Sequence, residues 1–141
     1  MTGDLIRVVL ADDHTVVRAG LKAVLGTAKD IDVVGEAKNG EEALALVERF
    51  HPHVVVMDLS MGGMDGLTAT KAVVARQNGT RVLVLTMHPE EDYLVPLLEA
   101  GAAGYLVKSA ADRELVDAVR AVAKGDVYVR PAAARVLAKG L

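Results

Sequence analysis

Four short apolar runs in this chain each end on a residue that can do chemistry. LIRVVL leads into Ala11-Asp12-Asp13-His14, VVVM into Asp58, RVLVL into Thr86, and YLV into Lys108-Ser109. Three carboxylates, one hydroxyl and one amine therefore stand at equivalent places after strand-like segments. Gathered in one pocket, the carboxylates repel one another and raise each other's pKa unless a cation offsets them. Lys108 supplies one fixed positive charge, and a hard divalent ion supplies more. Mg²⁺ takes about six oxygens, typically a few carboxylates plus waters and a phosphate. The set suits Mg²⁺ together with an anionic phosphoryl group, whose oxygens Thr86 and Lys108 are suited to hold. Transfer of such a group needs mostly positioning and charge neutralisation. Asp58 is the candidate nucleophile, as carboxylates are in aspartyl-phosphate chemistry.

The elements that must bring these residues together are legible as alternating patterns. Leu5–Leu10, Ile31–Ala37, Val54–Met57, Arg81–Leu85 and Tyr105–Val107 are near-continuous apolar runs, the pattern of parallel strands covered on both faces. Between them, Thr15–Ala28, Glu41–Phe50, Leu67–Gln77, Glu91–Ala100 and Asp112–Lys124 carry helical spacing of apolar residues. Five strand–helix alternations predict a three-layer α/β sandwich with right-handed crossovers. In such a sheet ligands bind outside the carboxyl ends of the strands, which is where the chemical residues stand. Gly125–Asp126 closes the fifth helix, Tyr128–Arg130 is expected to be extended, and Pro131 opens a short C-terminal helix, PAAARVLAK.

Composition bounds the function. The chain has 141 residues, no Cys, 52% hydrophobic and 25% charged residues, and a net charge of -3. A cysteine nucleophile, disulfides and thiolate metal sites are excluded. No apolar run approaches the roughly 20 residues of a membrane span, and Asp4 and Arg7 interrupt the place where a signal peptide needs its apolar stretch. A cytoplasmic protein with no membrane partner is expected. Residues 1–70 hold 6 Lys/Arg against 11 Asp/Glu, and residues 71–141 hold 10 against 8. The acidic balance argues against nucleic-acid binding by this chain itself.

The set Asp12-Asp13, Asp58, Thr86, Tyr105 and Lys108, in this order and spacing, resembles the receiver domain of bacterial two-component response regulators over roughly residues 5–125. The resemblance implies a flavodoxin-like (βα)5 fold with strand order 2-1-3-4-5. It implies that Asp58 accepts a phosphoryl group from a sensor histidine kinase. Asp13, Asp58 and the Ser60 backbone carbonyl would bind Mg²⁺ directly, and Asp12 through a water. Lys108 would pair with Asp58 and then with the phosphoryl oxygens. Thr86 would move its hydroxyl to that group, and Tyr105 would swing inward behind it, altering the face of helix four, strand five and helix five. Such a protein catalyses its own phosphorylation and dephosphorylation but is not otherwise an enzyme.

The runs ADDHTVVRAGL, VLTMH and LEAGAAGYLVKS are similar to receivers that precede a LuxR-type helix-turn-helix domain. A receiver over 1–126 and the start of a linker over 127–141 are expected, in a chain cut from a longer transcription factor. Activation would bring homodimerisation, and DNA would be reached only through an output domain outside these 141 residues. The alternatives are a stand-alone receiver acting by protein–protein contact, a Mg²⁺-dependent aspartyl-phosphate phosphatase, and a nucleotide or flavin carrier. The phosphatase needs a second Asp two residues after the nucleophile, where this chain has Ser60. The carrier needs a phosphate-cradling loop where this chain has Asp12-Asp13.

Several residues depart from the pattern or invite other readings. Gly62 stands where the family usually has Pro. Gly62-Gly63 gives a more mobile loop, so the Ser60 carbonyl is expected to be less well placed and Gly62→Pro to tighten Mg²⁺ binding. Pro96 lies inside the fourth helical pattern, so that helix is expected either to begin late, near Val95, or to kink. Met87 and His88 stand at the pocket rim, where His88 is suited to position a water during dephosphorylation. His14 is read as structural or capping, and His51 and His53 have no partner at metal-ligand spacing.

Overall fold

The computed structural model describes residues 5–87 and 90–129. Five strands alternate with five helices: β1 (Ile6–Ala11), α1 (Thr15–Gly26), β2 (Ile31–Ala37), α2 (Gly40–Phe50), β3 (Val54–Asp58), α3 (Gly66–Ala75), β4 (Arg81–Thr86), α4 (Glu90–Glu99), β5 (Gly104–Val107) and α5 (Ala111–Ala123). The sheet runs β2-β1-β3-β4-β5, and every adjacent pair is parallel. This is the flavodoxin-like three-layer order. His88 and the helix expected over 131–139 lie outside the described residues.

The apolar runs conceal a period of two, because each face of the sheet is covered. Val8 and Leu10, Val54 and Val56, Leu83 and Leu85, and Leu106 enter one buried cluster with Leu21 and Leu25 of α1 and Leu115 and Val119 of α5. Val9, Val55, Met57, Val82, Val84 and Tyr105 enter the other with Ala43 and Val47 of α2, Val73 of α3, and Leu94 and Leu97 of α4. Each fully buried Val or Leu contributes about 1.5–3 kcal/mol, so both faces hold the sheet rigid beneath its carboxyl edge.

Register brings that edge into line. Ala11 pairs with Met57, Asp58 with Leu85, and Thr86 with Val107. Asp12, Asp58, Thr86 and Lys108 therefore stand side by side with no long loop between them.

Helix ends follow local chemistry. Asn39 caps α2 by accepting from the Glu42 N–H at 2.8 Å, and Asp65 caps α3 by accepting from the Thr68 N–H at 2.7 Å. Gly125 takes φ 100° after α5, and Asp126 N–H returns to the Ala121 carbonyl at 3.0 Å, a left-handed helix stop. α4 does not begin late: it starts at Glu90 and carries Pro96 in its interior. The expected start near Val95 is thus corrected. The missing Pro96 N–H leaves the Asp92 carbonyl without its helical donor, while buried Leu94 and Leu97 anchor the helix on the sheet. Beyond α5 the chain stays on the sheet edge. Tyr128 N–H donates to the Ala103 carbonyl and Tyr105 N–H to the Tyr128 carbonyl, both at 3.0 Å.

Candidate functional site

Asp12 opens the loop after β1, and its position is fixed from three sides. Its Oδ1 accepts from the His14 N–H at 2.8 Å, its backbone carbonyl accepts from Arg18 at 2.6 Å, and its own N–H donates to the Ala37 carbonyl at 3.0 Å. Arg18 is held in turn by Glu36 at 3.2 Å, which also meets Lys22 at 3.0 Å. Hydrogen bonding from Lys22 is the chief reason the Glu36 carboxyl lies below its ordinary pKa, with Arg18 adding to it against burial. Arg18 was not singled out by the sequence. A basic residue one turn into the helix that follows the acidic pair was the available signal.

Asp58 ends β3 with its side chain buried among apolar neighbours, and its Oδ1 accepts from the Ser60 N–H at 3.2 Å. The turn that follows is folded back onto it by Gly66. A Cβ at Gly66 would lie 2.6 Å from both the Asp58 carbonyl oxygen and Leu59 Cα, and the Gly66 N–H donates to the Leu59 carbonyl at 3.0 Å. Only glycine lets α3 begin this close to the end of β3. The MDGL run contains this residue, but its role depends on a backbone approach that no side-chain pattern reveals.

Lys108 enters from the end of β5. Its Nζ lies 3.0 Å from Asp12 Oδ2 and 3.2 Å from Asp58 Oδ2, with the side chain 10% exposed. Both oxygens are buried, and among the described residues the ammonium is the one group that meets them. One cation is thus shared by two buried anions. The pKa directions agree with that sharing. Burial pushes the Asp58 carboxyl above its ordinary value, and the Asp12 charge adds to this against the opposing pull of Lys108. Burial works against the charged ammonium of Lys108, but hydrogen bonding to Asp12 and the two carboxylate charges outweigh it and raise its pKa.

Asp13 is more exposed. Its Oδ2 accepts from the Gly62 N–H at 3.2 Å, and its Oδ1 lies 2.9 Å from His14 Nδ1. Thr86 and Tyr105 are each 1% exposed. Thr86 closes β4 beside Asp58's strand, and Tyr105 sits in the buried cluster with Val84, Leu94 and Leu97. The ring is therefore inward in this structure. Met87 is 73% exposed, and with Val17 and Val107 it lines an open apolar hollow of about 320 Å³ beside Lys108.

The donor set fits a hard divalent cation. Asp12, Asp13 and Asp58 each offer a carboxylate oxygen and His14 offers a ring nitrogen, all within 4.8 Å of one another. Three carboxylates and one ammonium leave a formal charge of minus two, and two buried oxygens share that one ammonium. An oxygen-rich, over-charged cluster is what Mg²⁺ binding requires. His14 is 64% exposed, its Nδ1 lies 2.9 Å from Asp13 Oδ1, and its side chain makes no capping bond to α1. Among the described residues no helix is long and apolar enough to cross a membrane.

Known proteins share this arrangement. The sequence model of one family, the response regulator receiver domain, matches residues 8–120. The transcriptional regulatory protein LiaR of Bacillus subtilis (strain 168) is 44% identical over 122 residues, covering 86% of this chain and 58% of LiaR. The oxygen regulatory protein NreC of Staphylococcus carnosus (strain TM300) is 44% identical over 127 residues, covering 89% of this chain and 58% of NreC. The chain thus spans 58% of the length of these relatives. Among solved structures, a LuxR-family two-component response regulator from Aurantimonas superposes with a TM-score of 0.90 at 34% identity, covering 97% of this chain and 98% of that one. The signal receiver domain of a NarL protein from Mycobacterium tuberculosis gives 0.84 at 39% identity, covering 87% and 99%.

Proposed function

Because the chain belongs to the response regulator receiver domain family, we propose that it is a phosphorylation switch in which Asp58 takes a phosphoryl group from the phosphohistidine of a sensor kinase. A carboxylate oxygen of Asp58 forms the new P–O bond as the P–N bond breaks, and the donor imidazole keeps the electron pair. The observation that carries this reading is the pairing of Asp58 and Asp12 across a single ammonium in a buried pocket. A nucleophile so placed is shielded from competing donors and is held 3.2 Å from the cation that will meet the phosphoryl oxygens.

Asp13, Asp58 and the Ser60 carbonyl would hold Mg²⁺, with Asp12 acting through a water. The ion supplies positive charge that offsets the phosphoryl oxygens and the carboxylates. Lys108 then turns from Asp58 toward the phosphoryl group, and the Thr86 hydroxyl donates to it. Self-catalysed transfer and hydrolysis would need nothing more than this set. The phosphatase alternative is not favoured, because Ser60 cannot serve as its general acid.

A ligand shifts a two-state equilibrium only by its differential affinity for the two states. Here the phosphoryl group favours Thr86 toward Asp58 and holds Tyr105 in the inward position it already occupies. The Tyr105 backbone is bonded to Tyr128, and Tyr128 Oη donates to Glu114 of α5 at 2.7 Å. The change is thereby passed to the face of α4, β5 and α5. We assign 1–126 to the receiver and 127–141 to the start of a linker. The relatives named as transcriptional regulators support a cytoplasmic role in transcription, with homodimerisation on activation and DNA contact through an output domain.

Intact mass after incubation with Mg²⁺ and acetyl phosphate tests the reading. One added phosphoryl group, absent in Asp58→Asn and absent without Mg²⁺, is expected. A modification that persists in Asp58→Asn overturns Asp58 as the acceptor.

A further inference from the structure

The loop after β3 reaches across to the loop after β1 through one backbone hydrogen bond. Gly62 N–H donates to Asp13 Oδ2 at 3.2 Å, joining residues 49 apart in sequence. We infer that this amide is a positioning group: it sets the orientation of the Asp13 carboxylate and thereby the affinity of the site for a divalent cation. The inference deepens the proposed function and rests on its metal site.

Asp13 needs such a holder. Asp12 is clamped by the His14 amide, Arg18 and the Ala37 carbonyl, and Asp58 is clamped by the Ser60 amide and Lys108. Asp13 is the most exposed of the three carboxylates, and among the described residues its two oxygens are met by the Gly62 amide and the His14 ring. The His14 side chain is 64% exposed, so a cation displaces it from Oδ1 at little cost. Oδ2 stays on the amide, and Oδ1 is left for the cation. A donor behind a metal-binding carboxylate fixes its orientation, and loss of such a partner typically costs about 10–100-fold in metal affinity.

The amide is available because residue 62 is not proline. Proline has no N–H, so the bond cannot form in a chain that carries one there. Loop mobility alone gives Gly62→Pro the opposite sign, since a stiffer loop holds the Ser60 carbonyl better. The two effects are separable. A Cβ at position 62 meets nothing within 4 Å, and its backbone is not in the left-handed region. Gly62→Ala therefore stiffens the loop and keeps the donor, whereas Gly62→Pro stiffens the loop and removes it.

Mg²⁺ titrations by calorimetry on the wild-type chain and both variants decide between them. Gly62→Ala is expected to bind as well as wild type or better, and Gly62→Pro about tenfold more weakly. In the metal-free protein, hydrogen exchange at the Gly62 amide is expected to be slowed and to accelerate in Asp13→Ala, a measurement that does not depend on the proline variant folding. Gly62→Pro binding as tightly as Gly62→Ala overturns the inference, and so does a Gly62 amide whose exchange ignores Asp13. A wild-type chain that binds no Mg²⁺ overturns the metal site itself and this inference with it, whatever the amide does.

Discussion

Replacing Lys108 with Met removes the one cation between Asp12 and Asp58 while keeping most of the side chain's volume. The ammonium lies 3.0 and 3.2 Å from the two carboxylates. At an effective dielectric near 20, each attraction is about 5 kcal/mol in gross Coulomb energy. Much of that is offset by the cost of taking the charges out of water, and breaking a buried pair from one side nets about 3–5 kcal/mol. Protonation of Asp58 relieves part of the loss, so about 3 kcal/mol is expected at neutral to alkaline pH, or about 10 °C in Tm for a domain of this size. The sign of the pH dependence follows from Asp58. Its folded pKa is raised, first by burial, above an ordinary carboxylate value of about 3.9. Between the two values the folded state keeps a proton that the unfolded chain has lost, so stability falls as pH rises through that window. Lys108 works against this rise, so its removal carries the window further upward. The deficit of Lys108→Met is therefore larger at the alkaline end of that window than at its acid end. Urea denaturation at both ends in metal-free buffer measures it. Saturating Mg²⁺ should recover part of the loss, about 2.7 kcal/mol at one hundred times Kd. A deficit equal at the two pH values, or no deficit at all, refutes the shared-cation account.

Two further substitutions probe the scaffold. Gly66→Ala places a Cβ 2.6 Å from the Asp58 carbonyl and Leu59 Cα; it is expected to cost about 1–3 kcal/mol or more and to slow phosphorylation from acetyl phosphate, and a variant with unchanged urea midpoint and rate counts against the close approach. Arg120→Gln breaks the two 2.9 Å bonds that tie α5 to Asp30 ahead of β2. The Arg120 hydrogen bond holds the Asp30 carboxyl below its ordinary pKa, so the stability this pair adds is present above the ordinary value and is lost as pH falls through the lowered one. The difference between wild type and Arg120→Gln should accordingly close in strong acid, and a pH-independent difference speaks against it.

The fold and the chemical residues were legible because they depend on separate signals that agree. Apolar runs of three to seven residues alternating with helical spacing predict a covered parallel sheet, and the residue after each run then lies on one edge whatever the details of the loops. Asp58, Thr86 and Lys108 are placed by that geometry alone, whereas Tyr105 is singled out only by the resemblance. What stayed hidden depends on backbone atoms or on contacts between distant segments. Gly66 matters because of 2.6 Å between main chains, and Gly62 because of an N–H that reaches Asp13. The helical spacing places α4 over 91–100, and of the two outcomes left open by Pro96 the late start does not occur, because buried Leu94 and Leu97 override its local cost from the sheet side. Arg18 lacked a visible partner until β2 brought Glu36 beside it.

Asp58 and Lys108 both have raised pKa values, and the pair of directions says what kind of site this is. A simple buried ion pair would lower the acid and raise the base. Here the acid is raised first by burial, and the Asp12 charge adds to this against the pull of the one ammonium both carboxylates share. The metal-free site is therefore held in a state of excess negative charge, at a cost that the two apolar clusters bear. That excess is what makes the site responsive. On the proposed reading, a divalent cation would relieve it, and a phosphoryl group on Asp58 would bring new oxygens to draw Lys108 and Thr86 to a different partner. Were the charges balanced by a second lysine, the fold would be more stable and the arrival of either ligand would change less. The same imbalance that lowers stability supplies the difference in free energy between the two states that a switch at Tyr105 and Tyr128 has to read.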